Sequence, residues 1–365
     1  MATQPWGGSE ELWSQAATRL AAAGHTVRAS VAHWQPTPDA VDKVRQSGVE
    51  ITTRSPRRTL LQRALVQLPG PLTHRPTERR WLSSPAPDLA VVSQGGYDDG
   101  LQWMEACLQL GIMYVAVVQA NCDYWWPQDE LASRLATVYR EAARVFCVSS
   151  HNLRQLEYQI GESLPNARIV RNPVKVAATT DITWPDATDE LRFACVARLD
   201  PASKGQDLLL RVLATDEWRN RKVFTSFYGA GTHRDALEGL TRYLALSNVR
   251  FVGQIHDVHE IWRDNHVLVL PSRFEGLPLA LVEAMFCSRP AIVTNVGGNI
   301  EVCQDNVTGF VSEAATVTML RDTMNRAWHA RERLEMMGRA AKSSISARFP
   351  SDPIAAFVEE LLSVE

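Results

Sequence analysis

The sequence predicts an α/β protein of two domains, each with a parallel sheet between helices. Apolar strand-like runs alternate with amphipathic helical patterns along almost the whole chain, a pattern typical of parallel α/β layers. The alternation is interrupted once, at 173–190, a stretch that is poor in periodicity and rich in Thr, Asp, Ala and Pro. The chain has 365 residues, enough for a core in each of two domains.

The first domain is predicted to span residues 1–172. Helical patterns lie between most of its strand candidates, for example at Ser9–Ala23 and Asp129–Ala143. The strand candidates are His25–Trp34, Val49–Thr53, Asp88–Ser93, Met113–Gln119 and Arg144–Val148. Only Met1–Pro5 precede the first glycine turn. A buried strand before the first helix would therefore be short and polar or would start upstream.

The second domain is predicted to span residues 191–349, after a linker at 173–190. Its strand candidates are Arg192–Val196, Val223–Tyr228, Val249–Val252, His266–Leu270 and Ala291–Thr294. A breaker then precedes a last amphipathic helix, Pro353–Val364.

Bulk properties exclude several classes of function. The net charge of −3 gives no general case for nucleic-acid binding. The 6 cysteines form no C-x-x-C pair and lie mostly in apolar runs, so we interpret them as buried thiols in a reducing compartment. We find no signal peptide and no apolar stretch of about 18 residues, which predicts a cytoplasmic protein.

The segment 271–283 is the most informative stretch of the chain. It follows an apolar run that we interpret as a buried strand, and Gly276 permits close approach of the backbone to a ligand. Pro278 suits the first turn of the next helix. Glu275 should lie in the loop at the carboxyl end of a strand, where open α/β sheets bind ligands. Glu283 should lie about a turn and a half into the helix.

A second constellation, at 196–207, combines two cations with a helix start. A strand ends near Arg198, and a short loop places Lys204 at the next helix. Two cations and a helix N-terminus around one crevice would clamp a diphosphate; the alternative is a pair of solvated basic residues. Three glycine turns also follow predicted strands or open a helix. They are Gly7-Gly8-Ser9, Gly95-Gly96 and Gly229-Ala230-Gly231.

Taken together, these motifs resemble the family-4 retaining glycosyltransferases (glycosyl transferases group 1). This family has two Rossmann-like domains facing a cleft, the GT-B architecture. The resemblance covers most of the chain and is strongest over 190–312. The matching residues are Arg198 with Lys204-Gly205, Gly229-Ala230-Gly231, Val252-Gly253, Ser272 to Glu283, Val296 to Glu301 and Thr308 to Val311. The resemblance also implies that the C-terminal segment 350–365 packs back on the first domain.

The resemblance implies a retaining, metal-independent transfer of a sugar from a nucleoside-diphosphate sugar to a hydroxyl acceptor. Arg198 and Lys204 would hold the diphosphate, Glu275 would contact the donor sugar, and Glu283 would accept hydrogen bonds from the ribose. Further donor-binding residues would be Gly8, Gly229, Gly253, Ile255, Phe274, Gly276, Leu277, Pro278 and Leu279. The acceptor candidates are Gly7, Ser9, Asp98, Asn121, Trp125 and Trp126, with Trp125-Trp126 either stacking on a sugar face or serving as a packing anchor. No cofactor is implied beyond the UDP-, GDP- or other nucleoside-diphosphate sugar substrate.

Two questions stay open at this stage. The basic amphipathic segment Arg54–Arg80 either contacts an anionic membrane at its cytoplasmic face or forms a solvated surface. The alternatives to a glycosyltransferase are a sugar-nucleotide epimerase or a phosphorylase on the same fold, or a non-catalytic nucleotide-sugar-binding subunit. The sequence does not indicate the sugar, the acceptor or the oligomeric state.

Overall fold

The chain folds into two compact units. The computed structural model describes residues 6–54, 76–177, 179, 181–185, 190–255 and 257–364. Unit 1 comprises Met1–Pro173 and Asp352–Glu365, and unit 2 comprises Val174–Ser351. Most of the basic segment Arg54–Arg80, namely 55–75, lies outside the described residues.

Unit 1 alternates parallel strands with helices, as the sequence predicts. Its strands are β1 (Arg28–Ala32), β2 (Glu50–Arg54), β3 (Ala90–Gly96), β4 (Tyr114–Ala120), β5 (Arg144–Cys147) and β6 (Ala167–Ile169). The helices in this stretch are α1 (Gly8–Ala22), α2 (Asp39–Gln46), α3 (Pro76–Leu82), α4 (Leu101–Leu110), α5 (Asp129–Arg140) and α6 (Ser150–Ile160). Strand β6 is too short and too exposed to give an apolar run, and the sequence analysis missed it.

Within the described ranges, the strands of unit 1 pair in two groups. Strand β1 pairs with β2, and β3, β4, β5 and β6 pair in that order. Helix α1 packs on both sheets, because Ala17 lies in the core beside β1 and β2 while Leu12 and Ala16 lie in the core beneath β4 and β5. No strand of the described ranges joins the two sheets. The segment Met1–Pro5, where a short first strand was considered, lies outside those ranges.

Unit 2 contains one parallel six-stranded sheet with helices on both faces. Its strands are β7 (Leu191–Val196), β8 (Val223–Tyr228), β9 (Val249–Gly253), β10 (Val267–Leu270), β11 (Ala291–Thr294) and β12 (Gly309–Ser312). Its helices are α7 (Pro201–Lys204), α8 (Gln206–Leu213), α9 (Asp216–Arg219), α10 (Arg234–Tyr243), α11 (Val258–Asp264), α12 (Leu279–Phe286), α13 (Asn299–Val302), α14 (Val317–His329) and α15 (Leu334–Arg348). Every residue of β10 and β11 is buried, as expected for central strands covered on both faces.

The strand order of unit 2 creates a switch point between β7 and β10. The order is β12-β11-β10-β7-β8-β9, so the chain first builds outward from β7 to β9 and then crosses over to β10. The loops after β7 and β10 leave the sheet toward opposite sides. A crevice opens between such loops at the carboxyl ends of the strands, and open α/β sheets bind ligands there.

The C-terminal helix α16 (Pro353–Leu362) belongs to unit 1. The carboxylate of Asp352 accepts the Ala355 N–H at 2.8 Å and begins the helix, and it also pairs with Arg19 of α1 at 2.6 Å. The Phe357 ring packs edge-on against Phe146 of β5, with 5.2 Å between centroids. These contacts hold the end of the chain on the first unit.

The segment predicted as a linker, 173–190, is anchored on unit 2 at several of its described residues. Val176 is 3% exposed and lies in a core shared with Leu281 and Val282 of α12. The carbonyl of Thr183 accepts a hydrogen bond from the buried Arg289 guanidinium at 2.7 Å. The polar, aperiodic composition of this segment concealed the few apolar side chains that anchor it.

Candidate functional site

The site of unit 2 lies in the loops after β7 and β10. The β7 loop passes through Arg198 and Asp200 into the single-turn helix α7, which ends at Lys204. The β10 loop carries Glu275 and leads into α12, which carries Glu283. The strand order therefore brings together two stretches that lie about seventy residues apart in sequence.

Lys204 and Glu275 form a buried ion pair at the centre of the site. The Lys204 Nζ donates to Glu275 Oε1 at 2.7 Å, and the side chains are 20% and 6% exposed. The Ser272 hydroxyl donates to the same Oε1 at 2.7 Å. The Thr294 hydroxyl donates to the Ser272 carbonyl at 2.6 Å, which ties this loop to the end of β11. The carboxylate of Glu275 is thus held in one orientation by a cation and a hydroxyl.

Arg198 is held by a second carboxylate. Its Nη2 donates to Asp200 Oδ2 at 3.0 Å, and the Ser203 hydroxyl donates to the same oxygen at 2.7 Å. Burial raises the pKa of Asp200, but the Ser203 hydrogen bond and the Arg198 charge outweigh it, so the pKa is lowered. The Arg198 Nε is buried and has no hydrogen-bond partner among the described atoms. Because buried N–H groups are normally paired, this donor is suited to an additional acceptor.

Two glycines bring the site loops into contact at distances that a side chain would prevent. Gly205 has φ +65°, and a Cβ there would lie 2.0 Å from the Pro271 carbonyl oxygen. Gly297 has φ +53°, and a Cβ there would lie 2.2 Å from the Glu275 carbonyl oxygen. The Gly298 N–H donates to the Gly276 carbonyl at 2.6 Å. The backbone of the Glu275 loop is therefore fixed from two sides.

A side-chain clamp also joins the two loops. Arg273 forms a bidentate pair with Asp207 of α8 at 2.7 and 2.8 Å. Its backbone N–H donates to the Ser203 carbonyl at 2.8 Å. The sequence analysis did not single out this pair or Asp200. One signal could have suggested the pair: Arg273 directly precedes Phe274-Glu275, and Asp207 lies in the first helical turn after Gly205.

Glu283 lies one turn into α12 with its carboxylate turned toward the segment that opens unit 2. The residue is 6% exposed, and its Oε1 accepts the backbone N–H of Lys175 at 3.1 Å. Burial raises the pKa of Glu283, and the Lys175 N–H and ammonium oppose that rise. Lys175 was not predicted, because a backbone donor leaves no residue-type signal.

The remaining donor candidates lie mostly around the same crevice. Gly229 packs against the Ala197 carbonyl, its N–H donates to the Gly253 carbonyl at 2.8 Å, and Gly253 has φ +94°. Gly276 and Leu277 are buried in the Glu275 loop, Phe274 and Leu279 are half-buried there, and Ile255 packs against the core. Gly8 lies in unit 1.

One detail of the Glu275 loop differs from the prediction. Pro278 does not lie in the first turn of α12. It has φ −69° and ψ 124°, an extended conformation, and is the residue that immediately precedes the helix.

In unit 1 the acceptor candidates lie near the starts of α1 and α4 and after β4. Gly7 precedes α1, and the Glu10 carboxylate accepts the Gly7 N–H at 2.8 Å and the Ser9 hydroxyl at 2.7 Å. Asp98 is exposed after β3, and partial burial of its carboxyl together with the Asp99 charge raises its pKa. Trp126 is 64% exposed.

Two acceptor candidates are occupied by packing within unit 1. Asn121 is 1% exposed; its amide donates to Gln159 at 2.7 Å and its oxygen accepts the Cys122 N–H at 2.8 Å. It is therefore unsuited to positioning an acceptor hydroxyl, contrary to the prediction. The Trp125 ring stacks on Tyr97, 6.4 Å between centroids at 27°, which favours the packing anchor over a sugar platform for this residue.

No group of three or more His, Cys, Asp or Glu side chains in the described ranges could hold a metal ion. No helix there is long and apolar enough to cross a membrane.

Comparisons with known proteins identify the second unit. The family model for glycosyl transferases group 1 matches residues 182–344. The chain is 28% identical over 180 residues to the GDP-mannose-dependent alpha-(1-6)-phosphatidylinositol monomannoside mannosyltransferase of Mycobacterium tuberculosis, a match that covers 46% of each chain. It is 33% identical over 113 residues to the N-acetyl-alpha-D-glucosaminyl L-malate synthase of Bacillus anthracis, covering 31% of this chain and 30% of that one. The chain thus matches less than half of the length of these curated relatives.

Solved structures extend the likeness to the whole chain. The chain superposes on Anabaena HepE in complex with UDP and glucose with a TM-score of 0.77 at 17% identity, covering 100% of this chain and 98% of that one. The lipopolysaccharide outer core galactosyltransferase WaaB gives a TM-score of 0.70 at 18% identity, covering 98% and 96%. At this identity the likeness concerns the fold. The chain therefore has the GT-B architecture, and its second unit matches the family model for glycosyl transferases group 1.

Proposed function

We propose that this protein is a retaining glycosyltransferase that moves a sugar from a nucleoside-diphosphate sugar to a hydroxyl acceptor. The observation that carries the proposal is the pairing of Lys204 with Glu275 beside Arg198, at the switch point of a unit that matches the family model for glycosyl transferases group 1.

Arg198 and Lys204 would bind the diphosphate. Both cations are held by carboxylates, Arg198 by Asp200 and Lys204 by Glu275. An incoming diphosphate would accept hydrogen bonds from both cations. These bonds would replace part of the contacts that the cations make with Asp200 and Glu275. Because two side-chain cations stabilise the negative charge that grows on the leaving group, we propose that the transfer needs no metal ion.

Glu275 would contact hydroxyls of the donor sugar and favour positive charge at the anomeric carbon. In the transfer, the bond between the anomeric carbon and the diphosphate oxygen breaks and its electron pair stays on the diphosphate. The acceptor hydroxyl oxygen bonds to the same face of the anomeric carbon, so the configuration is retained. The proton of that hydroxyl passes to the departing phosphate oxygen, which balances the charge.

Unit 1 would bind the acceptor. Exposed Trp126 and Asp98, the latter with a raised pKa, are the described candidates for contacts with a sugar ring and with a hydroxyl. We take UDP and GDP as the first candidate nucleotides, because HepE is a complex with UDP and the mycobacterial relative is named as GDP-mannose-dependent. We further propose a cytoplasmic location, consistent with six buried free cysteines.

The test begins with a thermal-shift panel of UDP- and GDP-sugars, because a ligand specific to the folded state raises its stability with concentration. The donor found in this way is then assayed with an acceptor panel, and the product's anomeric configuration is read by NMR. Glu275→Gln should lower turnover by about a hundredfold or more while nucleoside-diphosphate binding changes little. Arg198→Ala should weaken both.

Arg339→Ala, at an exposed ion pair of α15, is the control for loss of a surface cation. A fully active Glu275→Gln variant would contradict the assigned sugar contact. An inverted product would contradict retention, and a requirement for inorganic phosphate would indicate a phosphorylase.

A further inference from the structure

The segment that opens unit 2 contacts the site through its backbone. Lys175 has an exposed side chain, but its N–H points inward to Glu283 Oε1 at 3.1 Å. The two neighbouring valines fix this N–H: Val176 is buried in the core that contains Leu281 and Val282 of α12, and Val174 packs against that core. The donor and the helix that carries its acceptor are thus anchored on one apolar cluster.

Glu283 needs such a partner because of its surroundings. It lies among the apolar residues of α12 and is 6% exposed, and an unpaired carboxylate is costly in such a place. Burial raises the pKa of Glu283, whereas the N–H and ammonium of Lys175 act to keep the charged form. With Oε1 engaged by the N–H, the plane of the carboxylate is set and Oε2 is the oxygen that a ligand would meet.

We infer that the backbone N–H of Lys175 is a positioning group for nucleotide recognition: it orients the Glu283 carboxylate so that the site selects a ribose over a deoxyribose. This inference rests on the proposed function, in which Glu283 accepts hydrogen bonds from the ribose hydroxyls. It adds a specificity determinant that lies outside the 271–283 loop and has no side-chain signature.

The chemistry follows from the geometry of the two oxygens. A ribose hydroxyl that donates to an ionised, oriented carboxylate makes a charge-assisted hydrogen bond, which is stronger than a neutral one. A 2′-deoxy nucleotide lacks the hydroxyl and leaves Glu283 buried without that partner. Without the Lys175 N–H the carboxylate can rotate and is protonated more readily, so both nucleotides should bind similarly.

The test uses Lys175→Pro, which removes the N–H while the exposed position tolerates the loss of the side chain. Lys175→Ala keeps the N–H and serves as the side-chain comparison. Ala177→Pro places a proline at an exposed position of the same segment and controls for backbone stiffening. Dissociation constants are measured by calorimetry for UDP and 2′-deoxy-UDP and for GDP and 2′-deoxy-GDP, and the deoxy/ribo ratio is the readout.

The wild type should prefer the ribonucleotide about tenfold or more, the value of a hydrogen bond to a charged group. Lys175→Pro should bring the ratio close to one, whereas Lys175→Ala and Ala177→Pro should keep most of the preference. An equal ratio in Lys175→Pro and Ala177→Pro overturns the inference and leaves the proposed function standing. A wild type without any preference overturns the contact between Glu283 and the 2′-hydroxyl, and the inference with it. A wild type that binds neither UDP nor GDP contradicts the proposed donor.

A second measurement covers the case in which Lys175→Pro does not fold. Amide hydrogen exchange at Lys175 should be slow in the wild type and at least about tenfold faster in Glu283→Ala, since the carboxylate that accepts the N–H is gone. Exchange at Val176 is the internal reference. Unchanged exchange at Lys175 in Glu283→Ala would overturn the inference without any nucleotide in the experiment.

Discussion

Replacing Lys204 with methionine should destabilise unit 2 strongly, because it leaves the Glu275 carboxylate buried without its cation. The pair is 2.7 Å long, and at an effective dielectric constant of about 20 its gross attraction is about 6 kcal/mol. Part of that attraction offsets the cost of removing both charges from water. Measured losses on removing one partner of a buried pair are about 3–5 kcal/mol, and we expect Lys204→Met to fall in that range.

The exposure of the two partners predicts an asymmetry. Glu275→Gln should cost less than Lys204→Met, since the Lys204 side chain is 20% exposed and can turn to water, whereas that of Glu275 is 6% exposed. The double variant Lys204→Met with Glu275→Gln should recover most of the loss, because no unpaired charge stays buried. Turnover should be lost in all three variants, whereas the free energy of unfolding should differ among them. The two measurements therefore separate the catalytic role of the pair from its effect on stability.

Urea denaturation followed by tryptophan fluorescence measures these differences, because Trp218 and Trp262 are fully buried in unit 2. Arg339→Met is the matched control. It breaks the exposed pair with Glu335, whose side chains are 72% and 43% exposed, and should cost about 0.3–0.5 kcal/mol. If Lys204→Met were no more destabilising than Arg339→Met, the carboxylate of Glu275 would not depend on Lys204 and the argument would fail.

Two further predictions concern backbone strain and pH. Gly297→Ala should cost about 3 kcal/mol and weaken donor-sugar binding, since it adds a clash with the Glu275 carbonyl to the strain of a positive φ. Gly161→Ala, at φ +69° with open space around the Cβ, should cost only about 1 kcal/mol in the same denaturation assay, and equal losses would contradict the reasoning. Burial, assisted by the Arg192 and Arg289 charges, lowers the pKa of His266 from 6.5 to about 4. The unfolded state then binds the proton more readily, so stability should fall by about 3 kcal/mol as the pH drops from 6.5 to 4 and stay level above 6.5. The urea midpoint should show this decline in the wild type and much less of it in His266→Asn, and parallel profiles would assign the decline to other groups.

Much of the fold followed from apolar periodicity. Strand β8 was predicted with both boundaries correct, as was β11, because each is a short segment rich in β-branched, aromatic or other apolar residues and almost wholly buried. The short exposed strand β6 could not be found in this way. Neither could the pairing of the described strands of unit 1, β1 with β2 and β3 to β6 with one another, since strand pairing depends on which edges meet and not on the pattern of each strand.

The sequence predicted the charged side chains of the candidate site but not the backbone groups that contact them. Glu275 and Lys204 carry formal charge beside glycines, Arg198 carries it at the end of an apolar run, and such patterns are visible in a linear sequence. Asn121 looked equally available, but its amide is paired on both sides within unit 1. Whether a polar side chain is free or already bonded depends on its neighbours in space.

The sequence by itself determined the alternation of strands and helices, the residues at the carboxyl ends of β7 and β10, and the resemblance to a family. The strands, helices and loop residues are encoded in short local stretches, and the resemblance is the order in which such stretches follow one another along the chain. Only the tertiary structure decided that Lys204 pairs with Glu275, that Asp200 holds Arg198, and that the N–H of Lys175 reaches Glu283. The first contact depends on the strand order of unit 2, the second on the conformation of the loop after β7, and the third on a backbone group that every residue type except proline carries.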